Sequence, residues 1–193
     1  MMIRGESMRA GELLNRLEDC PIIAAVRESS WQNALSSPAE VLFCLETSLL
    51  TVHQRITEAH EAGKAIFIHM DLAEGIGRDK AGLQYLADCG ADGILSTKAQ
   101  IIRSAKDVGL LTIQRFFILD SQGLDSIQEM LKNTNPHFME IMPGVLPKAI
   151  RRFAGGVTPV IAGGLIETKA EITAALSSGA TAISTGRADL WEL

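Results

Sequence analysis

Two glycine turns near the C-terminal end of the chain close short apolar runs: Ile161-Ala162-Gly163-Gly164 and Ile183-Ser184-Thr185-Gly186. Each has the pattern of a buried strand emptying into a turn whose backbone amides are uncovered. At Gly163 and Gly164 the missing Cβ lets an anion approach the peptide N–H groups, and Thr185 and Gly186 add a hydroxyl and another amide. The chemistry predicted for these four residues is the holding of a phosphate. Three or four charge-assisted hydrogen bonds of about 1.5–3 kcal/mol each suffice for roughly micromolar to millimolar affinity, the range of a sensed metabolite.

A second set of polar residues ends the remaining apolar runs: Arg27, His69 and Asp71, Ser96-Thr97-Lys98, Gln114 and Arg115, and Glu140. Asp71 and Glu140 suit ligand hydroxyls, or an acid/base pair in an enzyme, or structural ion pairs with Arg27, Lys98 or Arg115. Residue type alone leaves those roles open. No metal is expected, because His53 and His60 fall in a helical pattern and His137 at a strand start, far from a ligating set. Gly75-Ile76-Gly77 lacks the spacing of a nucleotide loop, and neither a GxSxG elbow nor a P-loop occurs.

These residues converge only if the strands carrying them share one sheet with a common direction. Eight apolar runs recur, at 22–26, 41–45, 66–70, 93–96, 110–114, 138–142, 159–162 and 182–184. They are near-continuous rather than alternating, as parallel strands buried on both faces are. Helical patterns lie between most of them and end near Gly63, Gly90, Gly109 and Gly179, while Thr97-x-x-Gln100 and Thr168-x-x-Glu171 read as capping boxes. The predicted fold is a compact α/β TIM-type (β/α)8 barrel, with an open doubly wound sheet as the rival. At 193 residues the chain is short for a barrel. It therefore economises in its first helix, around 31–35, and its last, within 187–193. One domain over 1–193 is expected, with 1–19 as a helical lead-in whose Met8, Leu13, Leu14 and Leu17 plug the barrel bottom.

The composition, 47% hydrophobic and 21% charged, is ordinary for a globular protein. No run approaches the roughly 18–20 apolar residues of a membrane span, and no secretory pattern opens the chain, so a cytoplasmic location is expected. Cys20, Cys44 and Cys89 show no CxxC spacing and read as small apolar side chains. The net charge of −5 opposes non-specific nucleic-acid binding but leaves room for local basic clusters at Lys98, Arg103, Lys106 and Arg115 and at Lys148, Arg151 and Arg152.

Read in order, Pro21-Ile22-Ile23-Ala24-Ala25-Val26-Arg27, His69-Met70-Asp71-Leu72 with Gly75-Ile76, and Gly93-Ile94-Leu95-Ser96-Thr97-Lys98 form one half of a recognisable series. Thr112-Ile113-Gln114-Arg115, Met139-Glu140-Ile141-Met142-Pro143-Gly144 and Ile161-Ala162-Gly163-Gly164-Leu165-Ile166 form the other. The series resembles the glycerol-3-phosphate-responsive antiterminator family, the regulators of the glycerol uptake operon. The resemblance implies a non-enzymatic barrel that, with its effector glycerol 3-phosphate bound and no other cofactor, acts on leader mRNA to prevent termination. It also implies that Gly163, Gly164, Thr185 and Gly186 hold the phosphate while Arg27, Asp71, Lys98, Arg115 and Glu140 line the polyol end. RNA binding would need a basic patch, for which a homodimer is one route. The other class of function is a phosphosugar isomerase or lyase with Asp71 or Glu140 as acid/base and Lys98 as an electrostatic or Schiff-base residue.

Overall fold

The computed structural model describes residues 8–193. Eight parallel strands close in chain order into a barrel: β1 (Ile22–Val26), β2 (Val41–Cys44), β3 (Ala65–His69), β4 (Gly93–Ser96), β5 (Leu111–Phe117), β6 (Phe138–Met142), β7 (Val160–Gly163) and β8 (Ala182–Thr185). Pairing of β8 back onto β1, with Ile23 opposite Ser184, completes the ring and rules out the open sheet. The helices are α1 (Ala10–Asp19), α2 (Trp31–Ser36), α3 (Val52–Glu61), α4 (Lys80–Asp88), α5 (Ala99–Asp107), α6 (Ser121–Thr134), α7 (Pro147–Phe153) and α8 (Lys169–Ser177). The shortening falls at the expected ends. A 3-10 turn at Glu28–Ser30 and the six residues of α2 serve the first crossover, and only a 3-10 turn at Ala188–Leu190 follows β8.

Alternation along the strands divides the apolar residues into two layers. Ile23, Val41, Phe43, Ala65, Phe67, Leu95, Ile113, Phe138, Ile161 and Ala182 fill the barrel interior, while Ile22, Leu42, Ile66, Ile68, Ile94 and Ile141 face the helices. Leu13 and Leu17 of α1 join the inner set with Met8, so α1 closes the end of the barrel where the strands begin. The part of the lead-in expected over residues 1–7 lies outside the described residues. An apolar plug at that end leaves the opposite rim, where the strands end, as the polar face.

Helix boundaries follow local chemistry. Thr168 and Glu171 form the expected reciprocal capping box at α8. The box expected at Thr97 and Gln100 does not form: Lys98 is the residue before α5 and offers no side-chain cap, because the Thr97 hydroxyl is bonded 2.7 Å from Asp71 instead. Gly63 leaves α3 with φ +74°, the left-handed exit that residues with a Cβ resist. Among the described residues no helix is long and apolar enough to cross a membrane.

Candidate functional site

The rim at the C-terminal ends of the strands opens into a cavity of about 410 Å³. Arg27, Ser29 and Ser30 after β1, Thr185 at the end of β8 with Gly186 after it, and Gly164, Leu165 and Ile166 after β7 form one continuous arc of its wall. Arg115 on β5, Glu140 and Met142 on β6, and Leu45 and Leu72 after β2 and β3 form the other.

The floor is an ion pair inside the barrel. Glu140 is fully buried, and its Oε2 accepts from Arg115 Nε at 2.6 Å while its Oε1 accepts from the Ser184 hydroxyl. Burying a carboxylate is costly unless it is paired and hydrogen-bonded, and here both oxygens are. The two terminal Nη groups of Arg115 make no hydrogen bond among the described residues and remain as donors beside the cavity. Ser184, whose hydroxyl had no assigned role in the sequence, is the third member of this network; its signal is its inward place on β8, opposite Glu140 across the glycine at 163.

Gly163 is shaped by that network. A Cβ there would lie 2.3 Å from Glu140 Oε1 and 2.5 Å from Ser184 Oγ, so the space freed by glycine is filled by the protein's own carboxylate. Gly164, one residue on, holds φ +72° and lines the cavity, where a Cβ would meet the Met142 side chain at 2.7 Å. Leu165 follows with φ +58°, a strained conformation for leucine, and stands exposed at the cavity edge. The Gly144 N–H donates to the carbonyls of Gly163 and Gly164, fastening the loop after β6 to the loop after β7.

On the neighbouring turn, the Thr185 hydroxyl donates to Ile166 O at 2.8 Å and accepts from Arg187 N at 3.1 Å, so it ties two loops together. Trp191 Nε1 donates to Thr185 O at 2.8 Å, which fixes the short C-terminal turn to the same point. Gly186 keeps open space, with only Ala25 O near a notional Cβ, at 3.6 Å. Arg27 reaches over the rim and is held by an ion pair with Glu46.

Asp71, Lys98 and His69 lie outside the cavity lining. Asp71 Oδ1 accepts from Ser96 Oγ at 2.6 Å, and its Oδ2 accepts from Thr97 N and Thr97 Oγ1 at 2.8 and 2.7 Å. Burial works to raise its pKa, but these hydrogen bonds, helped by His69, outweigh burial and leave the carboxyl below its ordinary value. Lys98 has its backbone N–H on Ser96 Oγ at 3.1 Å, and its ammonium has no ion-pair partner among the described residues. Neither residue lines the cavity. The histidine at the end of β3 is buried, with its pKa pulled down to about 4 by burial first and then by the Arg115 guanidinium, against Asp71. Among the described residues no three His, Cys, Asp or Glu side chains converge as a metal site.

The chain is similar to known proteins over nearly all its length. Residues 22–191 match the glycerol-3-phosphate responsive antiterminator family. The uncharacterized Escherichia coli protein YgcP is 36% identical over 188 residues, covering 94% of this chain and 96% of that protein. Two solved structures superpose closely. The glycerol uptake operon antiterminator regulatory protein from Listeria monocytogenes has a TM-score of 0.84 at 30% identity, covering 90% of this chain and 96% of its own. A glycerol uptake operon antiterminator-related protein from Thermotoga maritima has a TM-score of 0.80 at 32% identity, covering 89% and 98%.

Proposed function

The chain belongs to the glycerol-3-phosphate responsive antiterminator family, and from that premise we propose that it is a cytoplasmic regulator that binds glycerol 3-phosphate at the barrel mouth and, so loaded, binds leader mRNA. The observation that carries the ligand half is convergence. Six of the nine expected site residues, Arg27, Arg115, Glu140, Gly164, Thr185 and Gly186, line one cavity. In this reading the phosphate lies on the arc made by the loops after β7, β8 and β1, where Gly164 and Gly186 leave the backbone uncovered and Arg27 adds a guanidinium. The polyol then points toward the free Nη groups of Arg115 and the Glu140 carboxylate. Gly163 supports the site from behind, by making room for Glu140.

Sensing rather than turnover is supported by the state of the two carboxylates. A general base works best with a pKa near the working pH, and one already held by several donors weakens those bonds when it takes up a proton. Glu140 is engaged by Arg115 and Ser184, and Asp71, with its lowered pKa, is engaged by Ser96 and Thr97. For the RNA step, Arg103, Lys132 and Lys148 on α5, α6 and α7 carry no ion pair among the described residues, and a homodimer would double that set.

Thermal-shift measurements with glycerol 3-phosphate, glycerol and inorganic phosphate test the ligand. Glycerol 3-phosphate should raise Tm most and be recovered chemically unchanged; an equal response to phosphate, or turnover of the ligand, overturns the reading. Affinity for leader RNA should rise with the ligand and fall steeply with salt.

A further inference from the structure

The alternation of β3 sends Ala65 and Phe67 into the barrel and Ile66 and Ile68 toward the helices, which makes His69 the third inward residue of that strand. It points into the barrel interior, as Arg115, Glu140 and Ser184 do, yet takes no part in their network. His69 is 5% exposed, and neither Nδ1 nor Nε2 has a hydrogen-bond partner. Among the described residues it is the one side chain with buried polar atoms left unsatisfied.

Folding alone gives no return for an imidazole in this place. Leucine or phenylalanine would fill a similar volume without two stranded ring nitrogens. A buried polar group without a partner calls for an explanation, and the surroundings supply one. Leu72, three residues along, and Arg115 both line the cavity, and the Arg115 charge is close enough to act on His69. Leu72, which is half exposed, is the wall residue nearest to His69 along the chain. With its pKa held near 4, the ring is neutral at physiological pH, with one N–H donor and one acceptor nitrogen.

We propose that His69 reads the hydroxyl end of the ligand, one of its ring nitrogens hydrogen-bonding to a ligand hydroxyl once a polyol phosphate fills the cavity. The acceptor nitrogen of a neutral imidazole can take a hydrogen bond from a hydroxyl, which an ionised phosphate oxygen or an alkyl group cannot give. His69 is thereby the residue that separates a polyol phosphate from phosphate or from an alkyl phosphate lacking the diol. This rests on the reading of the cavity as a polyol phosphate site.

Calorimetric titration of wild type, His69→Leu and His69→Gln with glycerol 3-phosphate, propyl phosphate and inorganic phosphate tests it. The wild type should prefer glycerol 3-phosphate, and His69→Leu should lose about tenfold or more of that preference while keeping its affinity for inorganic phosphate. Its unliganded Tm should be no lower than that of the wild type, and His69→Gln, which restores a donor and an acceptor, should recover part of the preference. An unchanged ratio of affinities in His69→Leu overturns the assignment and leaves the cavity reading standing. Failure of the wild type to bind glycerol 3-phosphate overturns both. A readout independent of any variant is the ring-nitrogen 15N resonance of His69, which should shift with glycerol 3-phosphate and not with inorganic phosphate; no shift also overturns the assignment.

Discussion

Two carboxylates stand at strand ends on the same rim, and the barrel uses them in opposite ways. Asp71 lies past the end of β3 and is met by three donors from the next strand and its loop, so its carboxylate joins β3 to β4. Glu140 lies within β6, inside the barrel, and joins β5 to β8 through Arg115 and Ser184 while still facing the cavity. The difference lies in reach across the barrel: one carboxylate fastens neighbours along the rim, and the other fastens strands across it beneath the cavity.

Removing each carboxylate gives the largest contrast. Glu140→Ala leaves the Arg115 guanidinium buried and unpaired and should lower stability by about 3–5 kcal/mol, seen as a reduced urea midpoint. Glu140→Gln keeps the shape and an acceptor for Ser184, and should fold while binding glycerol 3-phosphate at least about tenfold more weakly. Loss of stability without loss of affinity in Glu140→Gln would make Glu140 a strut like Asp71.

A smaller effect separates the two glycine turns. Gly163→Ala drives a methyl into Glu140 and Ser184 and should cost about 1–3 kcal/mol by displacing the ion pair. Gly186→Ala has room for its methyl and should stay within about 0.5 kcal/mol of the wild type. Equal denaturation midpoints for the two variants would mean that the Glu140 network yields to an intruding group, and that its rigidity is not what Gly163 protects.

How much of this could be read beforehand depends on which face of each strand was at issue. The eight runs were legible because barrel strands are buried on both faces and so read as continuous apolar segments. The same continuity hides parity, since a strand apolar on both sides gives no alternation to show whether Asp71 or Glu140 turns inward. β5 extends to Phe117, past the expected end at Gln114, because Arg115 is charged and breaks the apolar run although it continues the strand. The glycines were legible as positions needing no Cβ, but not for what fills the space: the backbone turn at Gly164, the carboxylate at Gly163. Competition among hydroxyls was hidden too. Thr97 has a capping sequence, but a charged acceptor at Asp71 outbids the α5 terminus, and the Thr185 hydroxyl is taken by Ile166 O.

The smallest effect tests whether Asp71 is only a rim strut. Asp71→Asn keeps the size and one carbonyl acceptor, loses the charge-assisted bonds, and should lower stability by about 1–2 kcal/mol at pH 7 with less than a twofold change in glycerol 3-phosphate affinity. The pH dependence supplies the signature. The folded-state pKa of Asp71 lies below its ordinary value of 3.8, so the unfolded chain takes up this proton first as pH falls. Its contribution is therefore fully present above about pH 5 and is lost as the pH drops through the folded pKa. His69 and His137, both held below the ordinary histidine value, and His60, raised by its hydrogen bond with Asp92, also titrate as acid is added. His60 and His137 do so in wild type and variant alike, whereas His69 loses the support of the Asp71 charge in the variant, so the difference between the two stabilities reports Asp71 together with its coupling to His69. That difference should be flat from pH 8 to 5 and shrink below pH 4 in urea denaturation series. A gap that persists below the folded pKa would mean that the carboxylate charge is not what joins β3 to β4.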